Sequence, residues 1–232
     1  MKALIRKWYM KYKYYVLYPH LRLDTKITCE YLGNDYGGFN VSPTHLNTIR
    51  PLVYSFGIGE DVSFDCEIIE KYGAEVWAFD PTPRSIAFIE KKNLTKKLNF
   101  TPVAISTMDG EVNFCMPKNE KNVSGSLVQH SNVNNRESIT VKALSLNTIM
   151  RQNGHSKLDL LKLDIEGSEY DVVENILKTK IPITQIVLEI HDRFFPEKNA
   201  KSKRLLRLLR QEDYRLFAVS QNLEELSFIK LE

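Results

Sequence analysis

From about residue 50 onward, short apolar runs alternate with stretches whose apolar residues recur at helical spacing, the pattern of βα units wound around a largely parallel sheet. Leu52–Phe56 predicts a first strand that enters the turn Gly57-Ile58-Gly59-Glu60-Asp61. The helix after it places Val62, Cys66, Ile69 and Tyr72 on one side. Glu75–Phe79 is a second strand, and Asp80-Pro81-Thr82-Pro83 halts it, because proline cannot donate to a ladder. Ser85–Lys92 reads as the next helix. Asn99–Ile105 reads as a third strand, and Asp109-Gly110 turns the chain into Val112–Phe114.

Residues 117–137 are rich in Asn, Ser and Lys with little periodicity, a long polar loop of the kind that carries function in compact domains. Ile139–Val141 and a short helix from Ser145 follow. The run Leu158–Asp164 is apolar enough for a buried central strand. Beyond the turn Ile165-Glu166-Gly167, a helix buries Val172, Val173, Ile176 and Leu177. Gln185–His191 is a further strand, residues 201–212 form a basic helix with Leu205, Leu206, Leu208 and Leu209 on its apolar side, and Tyr214–Val219 with Leu226–Ile229 closes the chain as a hairpin. The whole predicts one α/β domain, with neither an internal repeat nor an internal boundary.

Composition narrows this little: 232 residues, 43% hydrophobic and 26% charged, exclude a disordered or collagenous chain, and no run approaches the ~20 apolar residues of a membrane span. Charge position changes the picture more. The net charge is +3, yet residues 1–23 alone hold six bases and no acid, so everything after them is net acidic. Trp8, Tyr9, Tyr12, Tyr14, Tyr15 and Tyr18 are interleaved with those bases, which interrupt any secretory-type apolar core. Such a segment suits either an amphipathic helix on an anionic membrane surface or packing on its own domain. Cys29, Cys66 and Cys115 form no close pair, which points to reduced, mostly buried thiols and a cytoplasmic location, with attachment at the inner membrane surface through residues 1–23 as the alternative.

Candidate chemistry sits at strand tips. In open α/β sheets ligands bind beyond the carboxyl ends of the strands, where the chain order reverses. Gly57 and Gly59 let backbone pass close to a ligand, and Asp80, about 20 residues on, is placed to accept hydrogen bonds from ribose hydroxyls. Glu60 and Asp61 in the same turn would repel a pyrophosphate and favour a ligand with a sulfonium and an amino group. S-adenosylmethionine therefore fits better than NAD. Asp164 and Glu166, at the tip of the central strand, flank the same crevice; helix capping is the competing explanation for Glu169 and its neighbours.

These residues resemble the FkbM-type family of class I S-adenosylmethionine-dependent methyltransferases, in wording most the methyltransferase-like branch. The resemblance rests on residues 31–39, Val53–Asp61 and Ala78–Pro83. Its most specific part is Leu161-Lys162-Leu163-Asp164-Ile165-Glu166-Gly167-Ser168-Glu169, close to the family's lysine-x-aspartate-x-glutamate-glycine-x-glutamate signature. Glu189-Ile190-His191 follows at the next strand. The resemblance covers residues 31–232, leaving 1–30 as a basic, aromatic N-terminal segment. It implies a Rossmann-like, mostly parallel sheet of about seven strands with an antiparallel C-terminal strand. It also implies a methionine portion bracketed by Gly57 and Gly59 and a ribose on Asp80; Thr82 and Asp164 are further cofactor-binding candidates. Ser55 and Asp61 depart from the family, which more often has an acid and a glycine there, and Glu60 or Asp61 becomes the candidate for the cofactor's amino group.

The expected reaction is transfer of the sulfonium methyl to a hydroxyl, with Glu166 and His191, and Asp164 beside them, as candidate catalytic groups because histidine titrates near neutrality and both strand tips face the crevice. A metal-free site is the first expectation. A magnesium- or manganese-assisted version would use Asp164, Glu189, His191 and Asp192, an oxygen-rich set without a strong motif spacing. Tyr31, Tyr36 and Phe39 either cover the cofactor or pack the N-terminal strand. FkbM-type relatives imply a glycan or small-metabolite hydroxyl as acceptor, with 117–137 and His191–Pro196 as candidate acceptor walls. The rivals are a non-catalytic S-adenosylmethionine-binding module and a nucleic-acid methyltransferase. The second is disfavoured because the chain lacks an Asn/Asp-Pro-Pro-aromatic tetrad, and a basic helix face is usually only solvated.

Overall fold

The computed structural model describes residues 13–94, 97–117 and 133–231. A short ribbon comes first, of β1 (Glu30–Leu32) and β2 (Phe39–Val41). Two βα units follow: β3 (Leu52–Phe56) with α1 (Ser63–Tyr72), and β4 (Glu75–Phe79) with α2 (Pro83–Lys91). Then come β5 (Asn99–Thr101), β6 (Ala104–Ile105), β7 (Gly110–Pro117) and β8 (Val133–Leu144). After α3 (Leu146–Asn153), the chain runs through β9 (Leu158–Leu163), α4 (Glu169–Thr179) and β10 (Ile183–Glu189). It ends with α5 (Ala200–Gln211), β11 (Tyr214–Val219) and β12 (Glu225–Lys230).

Seven strands form the main sheet in the order β11-β12-β10-β9-β3-β4-β5. The five from β10 to β5 are mutually parallel, and β12 runs antiparallel to both of its neighbours. The chain moves outward from β3 to β5, then returns to the other side of β3 as β9. The β3/β9 boundary is thus the point where strand order reverses, and a crevice opens beyond those strand ends.

Two-residue periodicity divides the sheet's side chains between two cores. Tyr54, Leu161 and Ile186 face α3, α4 and α5, whereas Val53, Leu160 and Val187 face Phe64 and Ile68 of α1 and Ile89 of α2. Every position of β9 is buried, as a central strand covered on both faces requires. Local chemistry fixes the helix starts: Thr82 caps α2 by accepting from the Ser85 N–H with Pro83 at the first helical position, and Ser145 caps α3.

Several expectations are corrected. Asn99–Ile105 is not one strand: Pro102, which has no N–H, breaks it, and Ala104–Ile105 leaves the main sheet to pair with β8 in a second, three-stranded sheet. The fully buried positions of α1 are Phe64, Asp65 and Ile68; Val62, just before it, is buried as expected, whereas Cys66, Ile69 and Tyr72 pack only half-buried against the same core. The polar stretch 117–137 is partly strand, since β7 runs to Pro117 and β8 starts at Val133; the rest of that stretch lies outside the described residues. Of the three thiols only Cys115 is buried, while Cys29 is exposed.

Of the basic N-terminal segment, residues 1–12 also lie outside the described part. The remainder packs on the domain. Leu21 is fully buried in the larger core, Asp24 N–H donates to the Leu216 carbonyl (2.8 Å), and Arg210 holds the Asp24 carboxylate at 3.0 Å. No described helix is long and apolar enough to cross a membrane.

Candidate active site

Three strand tips are laced together at the reversal point. Gly57 N–H donates to the Phe79 carbonyl (3.0 Å), and Asp164 N–H to the Phe56 carbonyl (3.1 Å). Gly57 has φ +75°, and a Cβ built on it would lie 1.6 Å from the Asp164 carbonyl oxygen. Only glycine lets β3 and β9 approach so closely. Its role is therefore first to seat Asp164 beside the turn.

Asp80 is fixed before any ligand arrives. Its Oδ2 accepts from Gly59 N–H (3.0 Å), and its Oδ1 accepts from both the backbone N–H (2.9 Å) and the hydroxyl (2.6 Å) of Thr82. The Thr82 side chain is thereby engaged in holding Asp80 and capping α2, which makes it a positioning residue. These groups open on a cavity of about 290 Å³ floored by Phe56 and Phe79, whose rings stack 4.5 Å apart. Val103, Ile105 and Phe114 supply an apolar side, and Tyr36 stands at the rim.

The lining holds five carboxylates, those of Glu60, Asp61, Asp80, Asp164 and Glu166, and no lysine, arginine or histidine among the described residues. Asp61 is tied by Ser63 N–H (2.7 Å) and Asn34 Nδ2 (2.5 Å). Burial alone would raise its pKa, but these donors hold it below the ordinary value. Glu60 pairs with Arg84 at 2.6 Å on the outer side. Tyr31 donates to the Asn34 carbonyl, and Phe39 is buried edge-on against Phe64, so of the three N-terminal aromatics only Tyr36 lines the cavity.

Behind Asp164 and Glu166 lies His191, which is fully buried and does not line the cavity. Direct proton abstraction from an acceptor by His191 is not what this placement offers. Its Nδ1 lies 3.0 Å from Oε1 of Glu169, itself fully buried and held by the N–H groups of Gly167 (3.0 Å) and His191 (3.2 Å). Its Nε2 faces the carboxylates of Glu166 (3.4 Å), Glu189 (3.5 Å) and Asp164 (3.8 Å). Burial would lower the His191 pKa, but the surrounding carboxylates, Glu169 foremost, overcome it and raise the value to about 10. Glu189 is pushed up to about 8 by burial and by Asp164. Glu166 takes a left-handed backbone, φ +52°, a conformation costly for a side-chain-bearing residue, and Gly167 follows at +99°. The reversed turn brings both acids of the Asp164-x-Glu166 pair to the crevice.

Asp192 does not join this cluster. It accepts from Tyr170 and Ser202 and ties the site to α5. Nor does the segment after it line the cavity: Arg193 pairs with Glu189 and Glu224, Phe194 stacks on His191, and Phe195 packs edge-on against Tyr170.

Two buried acids, Glu169 and Asp65, add to the residues expected here. Glu169, weighed as a helix cap, is the buried partner of His191; the third acid of the signature stretch was its signal. Asp65 on α1 is fully buried near Ser55 and Lys162; burial raises its pKa and Lys162 opposes the rise. Lys162, opposite Ser55 in the β3/β9 pairing, reaches the Gly57 carbonyl at 3.4 Å. The acid missing at position 55 of β3 thus has a counterpart across the core, on the helix.

Known proteins resemble this chain in sequence. Probable methyltransferase-like protein 24 of Homo sapiens is 26% identical over 220 residues, 83% of this chain and 53% of that protein, and its Rattus norvegicus counterpart is 26% identical over 190 residues. The chain spans about half the length of these curated relatives. Among solved structures, the Methanococcus jannaschii fibrillarin pre-rRNA processing protein aligns over 79% of this chain and 67% of its own, with a TM-score of 0.47 and 12% identity. The family model for the methyltransferase FkbM domain matches residues 53–216, from the first strand of the main sheet into β11. That match takes in the glycine turn, Asp80 and the whole acid cluster, and the chain belongs to the FkbM methyltransferase family.

Proposed function

We propose that the chain is an S-adenosylmethionine-dependent O-methyltransferase acting on a hydroxyl of a glycan or small metabolite. The observation that carries this reading is the sign of the cavity, five carboxylates and no base among its described lining residues, in a member of a methyltransferase family. Such a lining favours a sulfonium donor and an uncharged hydroxyl, and opposes phosphates and nucleic-acid backbones. Asp80, already oriented by three donors, takes the ribose hydroxyls, and Gly57 and Gly59 flank the methionine portion.

Transfer is an in-line displacement. The acceptor oxygen forms a bond to the methyl carbon as the carbon–sulfur bond breaks, neutral S-adenosylhomocysteine leaves, and the hydroxyl proton passes to Glu166 and then to water. His191 and Glu169 act behind Glu166 by holding the acid cluster in place. A neutral alcohol is a poor nucleophile, so positioning and proton removal supply the acceleration.

Calorimetry with S-adenosylmethionine, with a labelled-methyl screen over glycans, lipid-linked sugars and hydroxylated metabolites, tests this. Asp80→Ala is expected to weaken cofactor binding by at least about tenfold, the loss of roughly 1.4 kcal/mol that one or two hydrogen bonds to a charged group supply. Glu166→Gln should leave that affinity within about twofold and lower turnover. A chain that binds no S-adenosylmethionine would sink the reading; unchanged affinity in Asp80→Ala would remove the ribose assignment.

A further inference from the structure

We infer that Asp164, Glu166 and His191, with Glu189 beside them, form a binding site for one divalent transition cation, Mn²⁺ or Zn²⁺. Nε2 of His191 is fully buried and has no hydrogen-bond partner. It is nonetheless aimed at carboxylate oxygens of Glu166, Glu189 and Asp164, 3.4, 3.5 and 3.8 Å away. The other ring nitrogen faces the Glu169 carboxylate at 3.0 Å, and a carboxylate there calls for Nδ1–H. Nε2 is then left facing three anionic groups, an arrangement that calls for a cation there, either a proton on Nε2 or a metal ion held between the ring and the acids.

The spacing suits a metal. Bonds of ~2.1 Å place neighbouring ligand atoms ~3.0–3.4 Å apart. The Nε2 separations sit at or a few tenths of an ångström beyond that range, and one ligand atom from each of Asp164, Glu166 and His191 lies within 4.8 Å of the others. The surroundings fit as well. A metal-bound histidine typically donates its second N–H to a carboxylate that orients the ring, and Glu169, locked by two backbone N–H groups, is such a partner. Imidazole with carboxylates favours Mn²⁺ or Zn²⁺ over the all-oxygen preference of Mg²⁺ and Ca²⁺.

Access differs among the ligands. Asp164 and Glu166 line the cavity, whereas His191 closes the back, so an ion held between them meets a bound molecule only from the cavity side. An acceptor hydroxyl entering there can take the open coordination position. This use rests on the methyl-transfer reading above; the binding site itself does not.

The test reads the metal, not methyl transfer. The 232-residue chain, stripped with EDTA and dialysed, is titrated with MnCl₂ and the free ion followed by electron paramagnetic resonance, with calorimetry for S-adenosylmethionine on the same preparation. One Mn²⁺ per chain is expected, weakened by at least about tenfold in Asp164→Asn and in Glu166→Gln. Metal-free melting curves of both variants, set beside that of the metal-free parent, check that each still folds. Mn²⁺ should raise the melting temperature of the parent more than that of either variant. Absence of stoichiometric Mn²⁺ or Zn²⁺ binding overturns the site and leaves an imidazolium proton as the cation between the acids. Binding that persists unaltered in both variants overturns it too, by placing the ion elsewhere. A chain that binds the cofactor but not the ion defeats this inference alone; one that binds the ion but not the cofactor defeats the proposed function alone.

Discussion

At residue scale, the most exacting position is Gly57. Replacing it with alanine drives a methyl group into the Asp164 carbonyl at 1.6 Å and imposes φ +75° on a residue that avoids it. Gly57→Ala is expected to lower stability by more than about 1 kcal/mol, read from the urea midpoint, and to displace the Asp164 loop. A midpoint within experimental error of the parent would show that the two strand tips do not rest on each other. Gly57 and Asp80 were legible in the sequence because their chemistry is local: a glycine turn after one strand, a carboxylate after the next. The acids at 164 and 166 were legible as a motif. What Glu169 and His191 do was not, since it depends on which nitrogen is buried against which carboxylate, and sequence spacing carries no such information. Asp65 escaped for a similar reason: an acid on the inward side of a helix reads as an interruption of the apolar stripe until the lysine opposite is seen.

At the scale of elements, apolar periodicity found every strand of the main sheet and the helices between them, because burial on both faces writes itself into sequence as continuous apolar runs. It marked Val112–Phe114 and Ile139–Val141, which lie in β7 and β8, without the pairing that makes them a separate sheet, gave no β1–β2 ribbon, and ran β5 and β6 together across Pro102. Attachments between elements rest on single side chains. Gln185, fully buried on β10, accepts from Ser42 N–H (2.8 Å) and donates to the Ser42 carbonyl (3.1 Å), clasping the end of β2. Gln185→Leu leaves both backbone groups buried and unpaired and should cost about 2 kcal/mol, measurable by thermal or urea unfolding.

The N-terminal segment is held on α5 by a comparable device. His20 Nε2 lies 2.9 Å from Ser202 Oγ, and burial, with Lys203 and Arg210 nearby, lowers its pKa from 6.5 to about 4. A lowered value in the docked form means that docking is favoured while the ring is neutral. That contribution is complete above pH ~6.5 and is lost as pH falls through about 4. Amide exchange at Asp24 and Leu216, corrected for its intrinsic pH dependence, should accelerate over that interval. His20→Asn should flatten the change; an unaltered profile in that variant would assign it to other groups.

Over the whole molecule, opposite charges are segregated. Bases concentrate in residues 1–23 and on α5, acids at the strand tips. The described part of the N-terminal segment lies against α5, away from the cavity, so the chain's net charge of +3 says nothing about the potential a substrate meets. A line of hydrogen bonds joins the two regions. His191 N–H donates to Tyr170 Oη, Tyr170 and Ser202 both donate to Asp192, and His20 faces Ser202. This line has a polarity. An ionised Asp192 can only accept, so the hydroxyls on either side of it must both point inward, and the Tyr170 oxygen is left free to receive the His191 amide. None of these groups can turn over without stranding a neighbour. The back wall of the site therefore behaves as masonry, and whatever shape adjustment a bound molecule demands has to come from the opposite side, from Tyr36 at the rim and the Phe114 strand of the smaller sheet.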